Sequence, residues 1–353
     1  MIMEQQTLFD LASLRPLLAG RRFLLVHGDY FASLGIAAFF DGLDAAHFTA
    51  FTPNPLYEQV EAAVRCFREN GCEAIVAVGG GSAMDVAKCV KLFCRMDPAR
   101  CYLEQERADT GVPLYAIPTT AGTGSEATRH AVIYYRGEKQ SVSHPSIVPD
   151  AAVLLPEVLT GLPLYQKKCT LLDALCQAIE SWWSRSATEE SAEHSRRAIR
   201  GIRAHWEAYI GQGDPDAARA ILLAANEAGK AINITATTAP HAMSYKLTSL
   251  YHLPHGHAVA LCMAEVWPYT EAHARESADA GRLERALGEI GALAGYEWYR
   301  ALLDKLAIGF PRAGDRESEM RLLVASVNPI RLGNHPVPLG AEALRDMYER
   351  IVR

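Results

Sequence analysis

Residues 74–88 read AIVAVGGGSAMDVAK, and this stretch decides the fold of the first half of the chain. The apolar run Ala74–Val78 predicts a buried strand, and the pattern from Ser82 onwards predicts an amphipathic helix. A glycine triplet joins the two: Gly79, Gly80 and Gly81. Glycine lets backbone N–H groups come close to a ligand, and the first turn of a helix offers unpaired donors. The stretch therefore predicts an anion site suited to a pyrophosphate, with an ordinary strand-to-helix turn as the alternative.

A second loop rich in small residues follows the predicted strand Leu114–Ile117. Residues 118–128, PTTAGTGSEAT, combine two glycines with five hydroxyl side chains. Such a loop can donate hydroxyl and amide hydrogens to a phosphate or a ribose, although a plain polar turn is the alternative. Besides the glycine triplet, the candidate cofactor-binding residues of the two loops are Ser82, Asp85, Thr119, Thr120, Thr123 and Ser125.

The composition limits the partners and compartments that suit this chain. It has 353 residues, 49% of them hydrophobic, and a formal net charge of −6. That length favours two domains, and a negative charge without a long basic cluster argues against nucleic acid and anionic membranes as partners. The eight cysteines form no CxxC pair, which predicts reduced thiols, and the start has no signal-peptide pattern. We therefore expect a cytoplasmic protein.

Short apolar runs alternate with helical patterns through the first half of the chain. The predicted strands are Phe23–His27, Phe48–Phe51, Ala74–Val78, Leu114–Ile117 and Ala152–Leu155, with a helix at Leu56–Asn70 and a hairpin around Gly137. This alternation predicts a parallel sheet covered on both faces. Beyond Pro163 the apolar period becomes helical. We therefore predict an α/β dinucleotide-binding domain at residues 1–160 and an all-α domain at residues 161–353.

The helical half carries side chains that suit a divalent metal. Asp173 and Gln177 lie four residues apart on a predicted helix, so they share one face. His241 lies in the predicted helix Pro240–Tyr251, and His255 opens the next helix. A carboxylate, two imidazoles and an amide oxygen are ligands that borderline divalent metals accept. Taken singly, each histidine is more often a buried, hydrogen-bonded side chain than a ligand.

Four segments resemble, in order and spacing, the motifs of the iron-dependent (group III) alcohol dehydrogenases: Gly79–Lys88, Pro118–Thr128, Asp173–Glu180 and Pro240–Gly256. The resemblance covers nearly the whole chain. It implies an N-terminal domain that binds NAD(P) and a helical C-terminal domain that holds one divalent metal, Fe²⁺ or Zn²⁺. The metal ligands that it implies are Asp173, Gln177, His241 and His255. The family usually has histidine at the place of Gln177, and a neutral amide oxygen is a poorer donor than imidazole.

The resemblance also implies the reaction, in which hydride passes between the nicotinamide cofactor and a small aldehyde or primary alcohol. Many members relay a proton through a histidine at the place of Tyr245. Tyr245 is therefore the first candidate for this catalytic role and His257 the second. The alternative for Tyr245 is an aromatic side chain that only packs on a helix face.

The cofactor is expected to be NAD(H) rather than NADP(H). Asp29, in the turn after the first predicted strand, can accept from a ribose 2′-hydroxyl and repel a 2′-phosphate. If Gly28 instead of Asp29 lies next to the ribose 2′-hydroxyl, the site would admit NADPH. Asn54 lies in a turn that resembles the adenine side of the family's nucleotide site.

Residues 139–145, 241–245, 254–257 and 334–339 resemble one branch of the family, the phosphonoacetaldehyde reductases or hydroxyethylphosphonate dehydrogenases. That branch implies an aldehyde with a phosphonate group, which needs cationic or amide donors. The candidates are Arg129, Lys139, His144, Lys246, Arg331 and Asn334, and the preferred substrate residues among them are Arg129 and Lys246.

Other functions stay open. Within the family they are a general alcohol dehydrogenase and a sugar-acid 8-oxidase. The same superfamily includes dehydroquinate-synthase-like cyclases, whose basic phosphate ligands have no match at the corresponding places here. A non-catalytic NAD-binding protein is the hypothesis that Gln177 suggests. A homodimer is one oligomeric state that the sequence leaves open.

Overall fold

The structure is a computed structural model that describes residues 5–353. The chain divides into two compact units. The first comprises the residues up to Leu162 together with Gly213–Leu222, and the second comprises Pro163–Gln212 and Leu223–Arg353. The sequence analysis places one boundary at residues 160–161 and does not anticipate the grouping of residues 213–222 with the first unit.

Within the described residues, the strands are β1 (Gln6–Leu8), β2 (Phe23–His27), β3 (Ala45–Phe48), β4 (Ala74–Gly79), β5 (Leu114–Pro118), β6 (His130–Tyr135), β7 (Glu138–Ser143) and β8 (Ala151–Val153). The helices before Pro163 are α1 (Arg15–Leu18), α2 (Tyr57–Glu69) and α3 (Gly81–Phe93). Those that follow are α4 (Leu164–Trp183), α5 (Glu189–Glu207), α6 (Pro215–Thr235), α7 (Ala239–Tyr251), α8 (His255–Ala272), α9 (Ala280–Ala294), α10 (Tyr296–Lys305), α11 (Arg316–Ala325), α12 (Pro329–Gly333) and α13 (Ala341–Ile351).

The first unit is built on a parallel sheet. In the described part of the chain, its strands lie in the order β1-β8-β5-β4-β2-β3. Strand β4 is buried along its whole length, as expected of a central strand in a parallel sheet. Its side chains alternate between two apolar clusters, with Ile75 and Ala77 in one and Val76 and Val78 in the other. The predicted α/β class with a parallel sheet is confirmed.

The edges of the sheet differ in detail from the prediction. The predicted strand Phe48–Phe51 is wrong, because β3 ends at Phe48, which pairs with Val26 of β2. Beyond it, the Phe51 N–H donates to the Thr49 carbonyl at 2.9 Å, so Phe51 reaches the core from a tight turn. The sequence analysis assigns no strand to β1, whose three residues are partly exposed and pair with β8.

The second unit is helical, as predicted. The second half of α4, from Leu171 to Trp183, is buried residue after residue, which identifies it as a central helix. It packs against α5 and α8. None of the helices described between residues 5 and 353 combines the length and the apolar character that a bilayer span requires.

Helices α4 and α8 come closest at Gly256, the second residue of α8. A Cβ atom built on Gly256 would lie 1.9 Å from the carbonyl oxygen of Cys169 and 2.9 Å from the Cβ atom of Asp173. Neither atom is the end of a flexible side chain, so neither can give way unless α4 moves. The absence of a side chain at residue 256 therefore sets the distance between the two helices.

We expect Gly256→Ala to lower the free energy of unfolding by about 1–3 kcal/mol, because the added methyl group must push α4 and α8 apart. Gly288→Ala in α9 is the matched control, since a Cβ atom there would meet nothing within 4 Å. The control should gain about 0.5–1 kcal/mol, because alanine favours a helix interior over glycine. Urea unfolding of both variants measures the difference, and equal effects would contradict the close approach at residue 256.

Candidate functional site

Three of the four predicted metal ligands converge from three helices of the second unit. Asp173 lies on α4, His241 on α7 and His255 at the start of α8, and one ligand atom of each lies within 4.8 Å of the others. The Asp173 Oδ1 atom is 3.3 Å from His241 Nε2 and 4.0 Å from His255 Nε2. Two ligand atoms that each lie about 2.1 Å from a tetrahedral ion are about 3.4 Å apart. The cluster therefore has the dimensions of a metal site.

Buried polar atoms without partners mark the same place. In the part of the chain that the structure describes, Asp173 Oδ1, Gln177 Oε1 and His241 Nε2 are buried and accept or donate no hydrogen bond. An unpaired buried polar atom costs about 1–3 kcal/mol, so such atoms are rare. A divalent cation would take a lone pair from each of the three, and we conclude that the residues present fit a metal. Gln177, the fourth predicted ligand, lies beside the Asp173 carboxylate and helps to keep the pKa of Asp173 low.

Glu180, to which the sequence analysis assigns no role, holds His241 in place. It is fully buried on α4. Its Oε1 atom accepts from the Thr238 N–H at 2.8 Å, the Thr238 hydroxyl at 3.0 Å and the His241 N–H at 3.3 Å. Its Oε2 atom accepts from Nδ1 of His241. Glu180 thus caps the first turn of α7 and, by fixing the proton on Nδ1, leaves Nε2 of His241 free to bind a metal.

A sequence signal for Glu180 exists. It lies seven residues after Asp173 and three after Gln177, hence on the same face of α4 as the two predicted ligands. A glutamate inside an otherwise apolar helical run rarely becomes buried unless it is paired.

The two carboxylates control the protonation of His241. Burial alone would lower the pKa of His241, but the charges of Glu180 and Asp173 outweigh burial and raise the pKa to about 9. Burial would raise the pKa of Asp173, whereas its contact with His241 and the charge of His255 hold that pKa below its usual value. Because a histidine must lose its proton from the ligating nitrogen, a metal ion and a proton compete for His241.

The two candidate proton donors lie in different surroundings. The Tyr245 ring is parallel to the His255 ring, with an interplanar angle of 1° and centroids 5.8 Å apart. Nε2 of His257 donates to the Gly309 carbonyl at 2.7 Å, and its Nδ1 accepts from the Tyr165 hydroxyl at 2.7 Å. Burial lowers the pKa of His257, so its ring is neutral with both nitrogens engaged. Tyr245 is therefore the better placed of the two.

The two preferred substrate residues belong to different units. Lys246 is half-buried and follows Tyr245 on α7. Arg129 is half-buried in the first unit, just before β6, and its carbonyl accepts from the His144 N–H at 3.1 Å. Both assignments stay predictions.

The predicted nucleotide residues gather at the carboxyl edge of the parallel sheet. Strand β2 leads into Gly28 and Asp29, β4 ends at Gly79, and β5 leads into Thr119. Strands β3 and β4 lie on opposite sides of β2, so the strand order reverses between β2 and β4. Open parallel sheets bind ligands at this kind of switch point.

The glycine loop (Gly79–Gly81) and the threonine loop (residues 118–128) lie next to each other, and the glycines have no side chain at the contact. Gly80 is the N-cap of α3, and no side chain caps that helix. A Cβ atom on Gly80 would lie 3.3 Å from the Thr120 side chain, and one on Gly81 would lie 3.3 Å from the Thr123 side chain. The first N–H groups of α3 are thus lined by small residues, as a pyrophosphate site requires.

Two further contacts tie the turns of this edge together. The Asn54 N–H donates to the Ser82 hydroxyl at 3.3 Å. The Tyr30 hydroxyl lies 3.3 Å from the Thr119 hydroxyl, which links the turn after β2 to the turn after β5. The sequence analysis does not single out Tyr30, although an aromatic residue directly after Gly28 and Asp29 was the available signal.

A charge pair with a buried lysine supports the threonine loop. Lys88, on α3, is fully buried and donates to Ser125 Oγ at 2.9 Å, Thr128 Oγ1 at 3.0 Å and the His130 carbonyl at 2.8 Å. Burial lowers the pKa of Lys88 to about 8 and raises that of Asp85 to about 7, while their mutual attraction opposes both shifts. Asp85, a predicted cofactor residue, thus lies beside the lysine that positions Ser125.

Known proteins that are similar to this chain include two enzymes compared by sequence and one solved structure. Probable alcohol dehydrogenase EutG from Escherichia coli K12 is 36% identical over 230 residues, which cover 63% of this chain and 58% of EutG. Phosphonoacetaldehyde reductase from Streptomyces viridochromogenes is 35% identical over 263 residues, covering 70% of this chain and 66% of that protein. The match thus spans less than two thirds of either relative. The crystal structure of sulfoacetaldehyde reductase from Bifidobacterium kashiwanohense in complex with NAD⁺ has a TM-score of 0.88 at 26% identity, covering 98% of this chain and 96% of that one.

Two family models match most of the chain. The model of the iron-containing alcohol dehydrogenases matches residues 1–156. The model of the C-terminal region of the Fe-containing alcohol dehydrogenases matches residues 168–331. The first match contains both loops at the sheet edge, and the second contains all four predicted metal ligands. The chain belongs to the iron-containing alcohol dehydrogenase family.

Proposed function

We propose that the protein is a metal-dependent oxidoreductase that transfers hydride between a nicotinamide dinucleotide and a small aldehyde or primary alcohol. We further propose that its aldehyde is phosphonoacetaldehyde, which it reduces to 2-hydroxyethylphosphonate. The observation that carries the proposal is the cluster of Asp173, His241 and His255, whose ligand atoms lie within 4.8 Å of one another. In it, the buried atoms Asp173 Oδ1 and His241 Nε2 lack hydrogen-bond partners.

The loops of the first unit support a dinucleotide as the hydride carrier. Bare backbone at Gly80 and Gly81 and an uncapped α3 N-terminus suit a pyrophosphate. Asp29, two residues after the end of β2, suits the 2′-hydroxyl of NAD(H) and disfavours the 2′-phosphate of NADP(H). The similar sulfoacetaldehyde reductase was crystallised with NAD⁺. We therefore favour NAD(H).

Each group in the second unit has a separate task in this proposal. When bound, a divalent ion would polarise the aldehyde oxygen, and NADH would supply the hydride. Asp173, Gln177, His241 and His255 would hold the ion, either Fe²⁺ or Zn²⁺, because both accept this donor set. Glu180 keeps the His241 ring oriented and its Nδ1 protonated. The reduction consumes one hydride and one proton for each aldehyde.

Tyr245 is the proposed source of that proton. Its ring lies against the His255 ring, next to the proposed ligands. His257 is less suited, because its two nitrogens are held by Tyr165 and the Gly309 carbonyl. A proton carried by Tyr245 would reach the aldehyde oxygen as hydride reaches the carbon.

Two of the similar proteins support an aldehyde with an acidic group. One is named for phosphonoacetaldehyde and the other for sulfoacetaldehyde. These names describe small aldehydes with a tetrahedral anion. EutG, which is named as an alcohol dehydrogenase, supports the broader part of the proposal.

The proposal predicts a substrate preference. Protein loaded with Fe²⁺ or Zn²⁺ should oxidise NADH faster than NADPH, with the highest kcat/KM for phosphonoacetaldehyde in a panel that includes propanal, glycolaldehyde and succinic semialdehyde. A chelator should abolish the activity, and added metal should restore it. Similar kcat/KM values for phosphonoacetaldehyde and the other aldehydes would reject phosphonoacetaldehyde as the substrate. No turnover of any aldehyde with either metal would reject the proposed oxidoreductase activity.

Gln177→His should tighten metal retention, because imidazole is a better donor to Fe²⁺ and Zn²⁺ than a neutral amide oxygen. The measurement is the metal content that remains during dialysis against a chelator. Gln166→His is the control, since Gln166 lies exposed on the same helix. Retention equal to that of the unchanged protein would place Gln177 outside the ligand set.

Glu180→Gln should weaken metal binding by about 10–100-fold, because a neutral amide oxygen accepts from His241 Nδ1–H less strongly than a carboxylate does. Titration with Zn²⁺ against a competing chelator measures the affinity, and thermal unfolding of the metal-free protein checks the cap of α7. Glu190→Gln, at an exposed position of α5, is the control. Loss of stability without any loss of metal affinity would reduce Glu180 to a capping residue.

A further inference from the structure

Arg331 is a half-buried cation that has no carboxylate partner among the described residues. It lies on α12, and its Nη1 atom donates to the Thr237 hydroxyl. Across residues 5–353, no carboxylate oxygen lies within 4.0 Å of its guanidinium, whereas Arg196 and Arg345 each meet carboxylates at such distances. A partly desolvated guanidinium that binds only one hydroxyl keeps most of its five donors available.

The backbone around Arg331 is fixed at both ends of α12. The Asn328 side chain accepts from the Arg331 N–H at 3.1 Å. The Asn334 side chain donates to the carbonyls of Thr235 at 2.8 Å and Thr237 at 3.2 Å. These bonds pin α12 to the segment that leads into α7, where the proposed metal ligand His241 lies. The guanidinium is therefore presented by a rigid support.

One aromatic ring connects Arg331 to the proposed metal ligands. The Cζ atom of Arg331 lies over the Tyr245 ring, 5.6 Å from its centroid. The same ring is parallel to that of His255, with centroids 5.8 Å apart. The face of an aromatic ring attracts a cation but does not neutralise it. An anion beside Tyr245 would thus supply the negative charge that pairs with Arg331, and it would lie close to His255.

We propose that Arg331 binds the anionic group of the substrate and so determines specificity, while the aldehyde lies at the metal cluster. The inference deepens the proposed function and depends on it for the location of the aldehyde. The chemistry that Arg331 recognises is a tetrahedral oxyanion, either a phosphonate or a sulfonate, because its planar fork can donate two parallel hydrogen bonds to such a group.

Lys246 is the alternative cation, and the geometry favours Arg331 over it. Lys246 follows Tyr245 directly, so its side chain points about 100° away around α7. Arg331 approaches Tyr245 from another helix and contacts its ring. A lysine is also a point charge and lacks the planar fork that pairs with two oxygens of an anion.

The first test measures binding without turnover. Ethylphosphonate and ethanesulfonate, which carry no aldehyde, are titrated calorimetrically into metal-loaded protein. We expect Arg331→Met to weaken the tighter of the two by about tenfold to a hundredfold, the range for a charge-assisted hydrogen bond. Arg331→Lys, which keeps the charge but loses the fork, should fall between, and it also keeps the test valid if the methionine variant is unstable.

Arg285→Met is the matched control, since Arg285 lies exposed on α9. It should bind both anions as the unchanged protein does. Lys246→Met is tested in parallel, and a loss larger there than at Arg331 would transfer the role to Lys246 and overturn the inference. Failure of the unchanged protein to bind either anion would also overturn it. The anion that binds more tightly shows whether the substrate carries a phosphonate or a sulfonate.

The second test uses the reaction. For Arg331→Met, the ratio of kcat/KM for phosphonoacetaldehyde to kcat/KM for propanal should fall by at least about tenfold, chiefly through KM. An unchanged ratio would mean that Arg331 only supports Tyr245. If Arg331→Met loses anion binding but the unchanged protein reduces no aldehyde, the anion site stands and the proposed function fails.

Discussion

A buried carboxylate stays charged only when donors surround it, and the Glu180 carboxylate has four. Two come from Thr238 and two from His241, so one side chain of α4 fixes both the start of α7 and the imidazole that α7 carries. Removing any donor would leave a charge partly unpaired inside the unit. The position of His241 is therefore secured by the same interaction that keeps the interior of the unit stable.

The remaining members of the cluster depend on how closely α8 can approach α4. His255 and Gly256 are adjacent, and the missing side chain of Gly256 lets the α8 backbone contact Cys169. That contact brings the His255 ring to within 4.0 Å of the Asp173 carboxylate. Hydrogen bonds to Glu180 fix His241, and the close packing of α8 on α4 fixes His255. The two histidines belong to different helices, so both constraints are needed.

Local signals in the sequence predict much of this structure. The strand β4, the glycine triplet and α3 are contiguous, so one stretch of residues contains the whole pattern. Glu180 escapes such reasoning because its partners Thr238 and His241 lie 58 and 61 residues further along the chain. The strand β3 is misplaced for a related reason, since its end is set by pairing with Val26 and not by the apolar residues that follow Phe48. In the sequence, Arg331 is only one of six candidates for binding the phosphonate, and the fold distinguishes it by placing it over Tyr245.

Gln177 illustrates what a change of ligand type does when the charge stays the same. Glutamine and neutral histidine carry no charge, so the balance of Asp173 and Glu180 against a divalent ion is unaltered. The donor changes from nitrogen to oxygen, which shifts the preference of the cluster towards harder cations. In this chain the amide lies beside the Asp173 carboxylate, and its Oε1 atom lacks a hydrogen-bond partner. Since that unpaired oxygen costs about 1–3 kcal/mol, the binding of a cation by Oε1 would recover part of the cost, and metal binding and the stability of the unit are coupled through Gln177.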